Sequence, residues 1–599
     1  MPHHTASPIK IGCASAFWGD TETAAAQLVY QADIDYLVFD YLAEVTLSIM
    51  VGQKLKNPQA GFATDFVKTV MAPLLKDIKG KNIKVISNAG GINPQACADA
   101  LTMIAEAAGL SFNIAVISGD DLMPTKDKLP PITEMFTQHP LPNKVMSMNA
   151  YLGAQPIAEA LRQGADIVIT GRIVDSALVL GPLLHEFNWA TTDYDLLAQG
   201  SLAGHVIECG TQCTGGNFTD WEIVPQFDNM GFPIATCYAN GSFEISKPDN
   251  TGGLINYGTV AEQILYEIGD PKNYCLPDVI CDFSQVEIHP LAENQVRVTG
   301  ARGRAPTEYY KVSATYLDGF KITASFLLAG QDAVKKAQAV ADALISKAER
   351  LFSERQLGAF QRTNIEILGY EATYGPHAKQ QHTREVIVKI SAAHPNKEAL
   401  ILFSREIAQA ATGMAPGITG MVGGRPDAYP LIRLFSFLLP KDLVQPLING
   451  NAYNAPKIKN AVGADLSACP EQKGEHIGSP LQKTITLPLV KLAWARSGDK
   501  GNHSNIGVIA RKKEYLPWIE QALTEKSVAD YLAHLLDPKT GAIKRWPLPG
   551  LNAFNFLLEN SLDGGGMASL RIDPQGKAFA QQLLDFPISI PEDLLSKTP

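Results

Sequence analysis

Asp40 and Glu44 stand four residues apart in "FDYLAE", directly after the apolar run "DYLVF". If a helix starts there, both carboxylates lie on one face. Two close carboxyl groups suit general acid–base work or a divalent cation. The plainer reading is a strand-end Asp that caps the helix while Glu44 stays solvated. In "ITGRIVDSA", Arg172 leaves an apolar run immediately after Gly171, and Asp175 follows three residues later. An arginine placed there is costly to leave unpaired. It either pairs with Asp175 or grips a carboxylate or phosphate in a bidentate manner.

Four more stretches have the same grammar. "SAFWGD" offers Trp18 and Asp20 to wall a pocket for an anionic or planar ligand, or Asp20 as a helix N-cap. "SNAGGINP" places Asn88 before Gly90 and Gly91, which let a ligand approach the backbone closely. It matches neither the dinucleotide fingerprint nor the phosphate-loop pattern. "SGDDLMP" adds Asp120 and Asp121, the latter a candidate for acid–base work. "ECGTQCTGGNF" sets Cys209, Gln212, Gly215, Gly216 and Asn217 in one loop. Cys209 is a candidate nucleophile with His205 four residues before it, or a plain buried thiol. Cys-x3-Cys alone is a weak zinc signal. Far downstream, "ARSGDKGNHSNIG" carries Arg496, Asp499 and Lys500 and reads as a tight polar loop between two buried strands. It offers either an anion nest or a turn that braces one domain on another.

These loops need elements to hold them. From residue 1 to about 285, short strands ("IKIGCA", "DYLVFD", "IKVISN", "FNIAVIS", "DIVITG") alternate with Ala/Leu-rich helical stretches. That alternation predicts a doubly wound, mainly parallel α/β sheet, with ligands at the carboxyl ends of its strands. Residues 286–454 predict an α+β domain. It includes a hairpin turning at Asp318-Gly319 and an amphipathic helix with Val334, Ala337, Ala341, Leu344, Ala348 and Leu351 on one face. Residues 455–483 read as a linker, and 484–599 as a second α+β domain.

Composition narrows the partners. The chain has 599 residues, 46% of them hydrophobic, and a net charge of −10. An acidic chain without a basic cluster is a poor binder of nucleic acid or of anionic membranes. No signal peptide or membrane-length apolar run is visible. Eight scattered cysteines form no disulfide framework, so the cytoplasm is the expected compartment. A homo-oligomer is the expected kind of assembly for an acidic chain of this size.

The motifs together resemble the acyclic terpene utilisation AtuA family, along nearly the whole chain. The resemblance rests on "AFWGD", "DYLVFDYLAEVT", "GRIVDSA", "ECGTQCTGGNF" and "KPDNTGGL". "ARSGDKGNHSNIGVIAR" resembles the family's C-terminal ferredoxin-fold domain. The opening departs from the pattern at Ser15-Ala16, where a glycine is expected. The resemblance implies a role in acyclic isoprenoid catabolism, whose route runs through branched acyl-CoA thioesters. The expected protein is thus an enzyme of lyase or hydratase type acting on an anionic substrate, with CoA as part of that substrate and a divalent cation as candidate cofactor. Arg172 would hold the anionic group, and Asp40, Glu44 and Asp121 would supply acid–base function. A non-catalytic acyl-CoA-binding or scaffold subunit is the alternative.

Overall fold

The computed structural model describes residues 7–454 and 484–596. All five expected strands of the first region form. They are β1 (Ile9–Cys13), β2 (Tyr36–Phe39), β3 (Lys84–Ser87), β4 (Ile114–Ser118) and β6 (Ile167–Thr170); a further strand, β5 (Val145–Ala150), belongs elsewhere. They run parallel in the order β1-β2-β3-β6-β4. Antiparallel strands extend this core at both edges. β7 (Ile234–Cys237) pairs with β1 and β8 (Phe243–Ser246) with β7, while strand Leu447–Ile448 pairs with β4.

Every residue of β2 and β6 is buried, as expected for strands covered on both faces. The pleat sends Leu37, Phe39, Val85 and Ile169 to one layer, packed with helices Thr23–Gln31 and Pro94–Ala107. Tyr36, Val38, Ile86 and Val168 face the other layer, with helices Gln155–Arg162, Ala177–Glu186 and Tyr194–Ile207. The sheet is therefore wound on both sides.

The second sheet is built on one long strand, Tyr309–Ala329, paired with Glu385–His394, Tyr429–Pro440 and β5. The hairpin expected at Asp318-Gly319 does not form. Those two residues make a bulge, where the register against Tyr429–Pro440 shifts between Leu317 and Phe320. Gly319 takes φ +88°, and a Cβ there would meet the His394 carbonyl oxygen at 2.8 Å. A bulge uses the same Asp-Gly chemistry as a tight turn but lets the strand run on. Helix Ala333–Glu354 buries Ala337, Ala341, Leu344 and Ala348 against this sheet.

The C-terminal sheet orders its strands as Ala493–Lys500, His503–Ala510, Ala553–Glu559 and Ala542–Leu548, all antiparallel. The expected polar loop is thus two paired strands with a turn at Gly501-Asn502. The expected linker lies outside the described residues. No helix among the described residues is long and apolar enough to cross a membrane.

Candidate functional site

Five strand ends converge at the carboxyl edge of the parallel sheet. Ser15, Asp40, Asn88, Asp120 and Arg172 follow β1, β2, β3, β4 and β6, and all five are buried. Asn88 Nδ2 donates to Asp40 Oδ1 at 2.6 Å, while Asn88 Oδ1 accepts from Tyr41 N at 2.7 Å. Ser15 Oγ donates to the Asp40 carbonyl at 3.0 Å. Burial pushes the Asp40 carboxyl well above the usual range. Asp175 and Glu208 add repulsion, and Asn88 and Arg172 only partly oppose it. Asp40 is thus held in one orientation by Asn88, in surroundings that favour its neutral form.

Arg172 is 3% exposed and held through its backbone N–H, its Nη1 and the face of its guanidinium. Its backbone N–H donates to Asp120 Oδ2 at 2.9 Å. Nη1 donates to the Leu42 carbonyl at 2.5 Å and to Asp175 Oδ1 at 3.0 Å. The guanidinium lies 4.1 Å over the Tyr151 ring, on which Lys311 sits at 4.8 Å. Tyr151 follows β5, and Lys311 lies in the long strand of the second sheet, so two sheets build this wall. The sequence reading missed both residues, because nothing local ties residues 151 and 311 to the first domain.

Asp120 supports Arg172 from below and accepts Asn149 Nδ2 at 2.8 Å. Burial pushes its carboxyl up from 3.8 to about 6. The folded state then binds the proton more tightly than the unfolded chain. Its contribution to stability is greatest below the unfolded value, falls between about pH 4 and about pH 6, and stays low above that window. A shift of about two units corresponds to about 3 kcal/mol. Asp120→Asn keeps an acceptor for both N–H donors and removes the titration. The difference in stability between wild type and variant, followed by denaturant unfolding, is expected to change by about 3 kcal/mol across that window. A pH-independent difference would show that Asp120 is not desolvated.

Glu208 and His205 close another side. His205 Nδ1 lies 2.9 Å from Glu208 Oε1, and Nε2 lies 3.2 Å from the Ile264 carbonyl oxygen. His205 therefore serves Glu208 and not Cys209. Burial, with Glu208 and Glu267 nearby, pushes the Cys209 thiol well up, so it stays protonated and is a poor nucleophile. The glycines of this loop serve packing. Gly215 takes φ +104° at a turn, and a Cβ on Gly216 would meet the Thr211 carbonyl at 2.9 Å. Asn217 also has positive φ and is exposed. Leu254 N donates to the Thr214 carbonyl at 2.7 Å, so "KPDNTGGL" packs directly on this loop. Gln212 Oε1 is buried with no hydrogen-bond partner among the described residues.

The C-terminal domain adds charge to the rim. Lys500 Nζ donates to the Glu267 carbonyl at 2.8 Å and sits 5.1 Å over the Tyr274 ring. Tyr274 in turn stacks near His205, with ring centres 5.8 Å apart. Arg496 lies 4.8 Å over Tyr266 and donates weakly to the Gly216 carbonyl at 3.5 Å. Asp499 accepts from Lys577 at 3.1 Å, as does Glu267. A Cβ on Gly498 would meet Tyr266 at 2.5 Å, and one on Gly507 would meet Leu265 at 2.5 Å. These two glycines let the C-terminal sheet lie directly on residues 265–267.

Other expected residues have local structural partners. Asp121 is exposed and accepts from Met123 N at 3.0 Å. Trp18 Nε1 donates to Asp65 at 2.5 Å, and Asp20 accepts from Ala16 N at 3.0 Å. Gly90 and Gly91 are tightly packed, since Cβ atoms there would meet the Thr170 carbonyl at 2.5 Å and Met50 Sδ at 2.2 Å. Glu44 opens helix Glu44–Lys56, but its side chain lies outside the described part. Among the described residues, no group of three or more His, Cys, Asp or Glu side chains is placed to hold a metal ion, so the cation candidate finds no ligand set there.

Comparison with known proteins identifies the family. No curated protein and no solved structure matches the chain. The sequence model described as "acyclic terpene utilisation family protein AtuA" matches residues 9–449, the two sheets that carry the strand-end cluster. The model described as "AtuA ferredoxin-like domain" matches residues 487–589, which hold Arg496, Asp499 and Lys500. With most of its length covered by the first match, the chain belongs to the acyclic terpene utilisation AtuA family and ends in that family's ferredoxin-like domain.

Proposed function

We propose that the protein is a cytosolic enzyme of acyclic terpene utilisation that performs hydratase- or lyase-type acid–base chemistry on a branched, carboxylated or CoA-linked substrate. The observation that carries this is Asp40, a buried carboxyl oriented by Asn88 at the strand ends, whose neutral form burial favours. A carboxyl whose neutral form is favoured in this way suits proton donation. In the hydration direction it gives its proton to the substrate carbon, while a water oxygen bonds to the neighbouring carbon. A second group must accept the water's proton. Arg172 would act by fixing Asp175 and the Leu42 carbonyl at the same strand ends, since its Nη1 is bonded to both. The seven cysteines described are all free, in keeping with a reducing compartment.

One observation favours a second reading. Trp221, Ile223 and Phe227 are 60%, 59% and 53% exposed, and an outward apolar patch suits a scaffold or binding subunit.

The test is a thermal-shift screen of the full chain. The panel holds free CoA, branched unsaturated acyl-CoAs, the free acids, NAD(P), and Mg²⁺, Mn²⁺ and Zn²⁺. A ligand at about 100 times its Kd adds about 2.7 kcal/mol. Thioesters that shift the melting point are then incubated and weighed for the gain or loss of one water. Asp40→Asn is expected to keep the thermal shift and lose turnover by about 10²–10⁴-fold. Binding with no turnover in the wild type would favour the scaffold reading, and no binding at all would sink both small-molecule readings.

A further inference from the structure

The proposed chemistry needs a proton acceptor opposite Asp40, and the geometry points to Glu208, positioned by His205. We propose that Glu208 is the second carboxyl of the site and that the His205–Glu208 contact holds one proton that follows the state of the bound substrate. This rests on the functional reading above.

His205 Nε2 faces the Ile264 carbonyl at 3.2 Å. A carbonyl only accepts, so Nε2 carries a hydrogen. Nδ1 faces Glu208 Oε1 at 2.9 Å. Two acceptors do not approach to that distance, so one proton lies between them, on the imidazole or on the carboxyl. His205 is 2% exposed and Glu208 is 14% exposed. The histidine is therefore the buried support, and the carboxyl is the part that reaches the open side. The His205 ring is fixed by Tyr274 at 5.8 Å and by Phe283, stacked at 6.3 Å. Gln263 Nε2 donates to the His205 carbonyl at 3.2 Å, which ties the backbone at that turn. The charge of Glu208 is felt by Asp40, Tyr274, Cys209 and Cys13, so it lies in the same electrostatic unit as the proton donor.

In the hydration step, water loses its proton to Glu208 Oε2 as its oxygen bonds to the substrate carbon. The electron pair of the C=C bond takes the proton of Asp40. Glu208 ends protonated and Asp40 ionised, and the elimination direction reverses both transfers.

Two measurements test this on the full chain. The first needs no ligand. In protein labelled with ¹⁵N-histidine, the His205 resonances are assigned by their loss in His205→Gln. The expected spectrum has hydrogen on Nε2 and a bridging hydrogen on Nδ1. In Glu208→Gln the bridging signal is lost or its shift changes. A wild-type Nδ1 that bears no hydrogen bond, with a spectrum unmoved by Glu208→Gln, would overturn the shared proton. The second uses the branched acyl-CoA with the largest thermal shift in the panel above. Its conversion is followed by the gain or loss of one water in wild type and in Glu208→Gln. The variant is expected to keep the thermal shift and lose turnover by about 10²–10⁴-fold. Unchanged turnover in the variant would overturn the role of Glu208 while leaving the functional reading intact. Failure of the wild type to bind any thioester would instead remove the functional reading, with the first measurement still deciding the proton.

Discussion

Arg172→Ala is expected to cost about 3–5 kcal/mol of stability, because it breaks an ion pair whose guanidinium is buried. The side chain is 3% exposed, stacks on Tyr151 and bridges the Leu42 carbonyl to Asp175. Truncation strips Asp175 of its cation and leaves the Leu42 carbonyl without that donor. It also removes the charge that partly offsets the repulsion on Asp40. Arg172→Lys should recover only part of the loss. An ammonium has no planar fork to stack on the ring while spanning the carbonyl and the carboxylate. Hydrogen exchange at the amides of β6 suits this test, since a chain of several domains need not unfold in one step. Protection lost at β6 but kept in the C-terminal sheet is the expected pattern. A loss below about 1 kcal/mol would place Arg172 among exposed pairs, whose contribution is small, and would contradict its burial.

The parallel sheet was legible because both of its faces are covered. Runs such as "YLVF" and "IVIT" have no polar side to present, so they stand out against their Gly-rich ends. Asp40 and Arg172 were legible for the same reason, being the first charged residues after those runs. Glu208 was visible as part of a polar loop, but its pairing with His205 depends on the helix that precedes it. Tyr151 and Lys311 come from a strand pairing across more than 160 positions, which no local pattern records. The Asp-Gly at 318–319 misled because a bulge and a hairpin turn ask for the same residues. What separates them here is the partner. Glu385–His394 pairs without interruption from Phe320 onward, and Arg433 reaches Asp318 at 2.5 Å. The polar run at 495–507 misled for a different reason. Its Ser504 and Asn505 are fully buried in a strand, where polarity normally argues for a loop. The groups that satisfy them lie far off in the chain: Ser561 for Ser504, and Asn555, the Leu265 carbonyl and Glu267 N for Asn505.

That last point gives the second large effect. Asn505 and Asn555 stand on adjacent strands and are both fully buried. Asn555 Nδ2 donates to the Ile268 and Gly269 carbonyls at 3.0 and 2.7 Å. Asn505 Nδ2 donates to Asn555 Oδ1 at 2.9 Å and to the Leu265 carbonyl at 2.6 Å, and its Oδ1 accepts from Glu267 N at 2.9 Å. The pair replaces the hydrogen bonds that segment 265–269 would otherwise make with water. That segment carries Tyr266 and Glu267, which hold Arg496, Lys500 and Lys577 at the rim of the site. Asn555→Ala leaves the buried Ile268 carbonyl, the part-buried Gly269 carbonyl and one side-chain donor unsatisfied, at about 1–3 kcal/mol each, so a total of about 3–9 kcal/mol is expected. Because the two asparagines share a bond, Asn505→Ala on top of Asn555→Ala should cost less than the sum of the single changes. Hydrogen exchange should show protection lost at 265–269 while Ile506 and Phe556, inside the C-terminal core, stay protected. Such a result would make the asparagine pair the clasp between the two parts of the site. If the whole C-terminal sheet opens instead, the pair serves that domain's own folding, and the seating of Lys500 over Tyr274 must rest on other contacts between the two parts, among them Arg511–Asp220, Trp494–Asp220 and Thr219–Ala495.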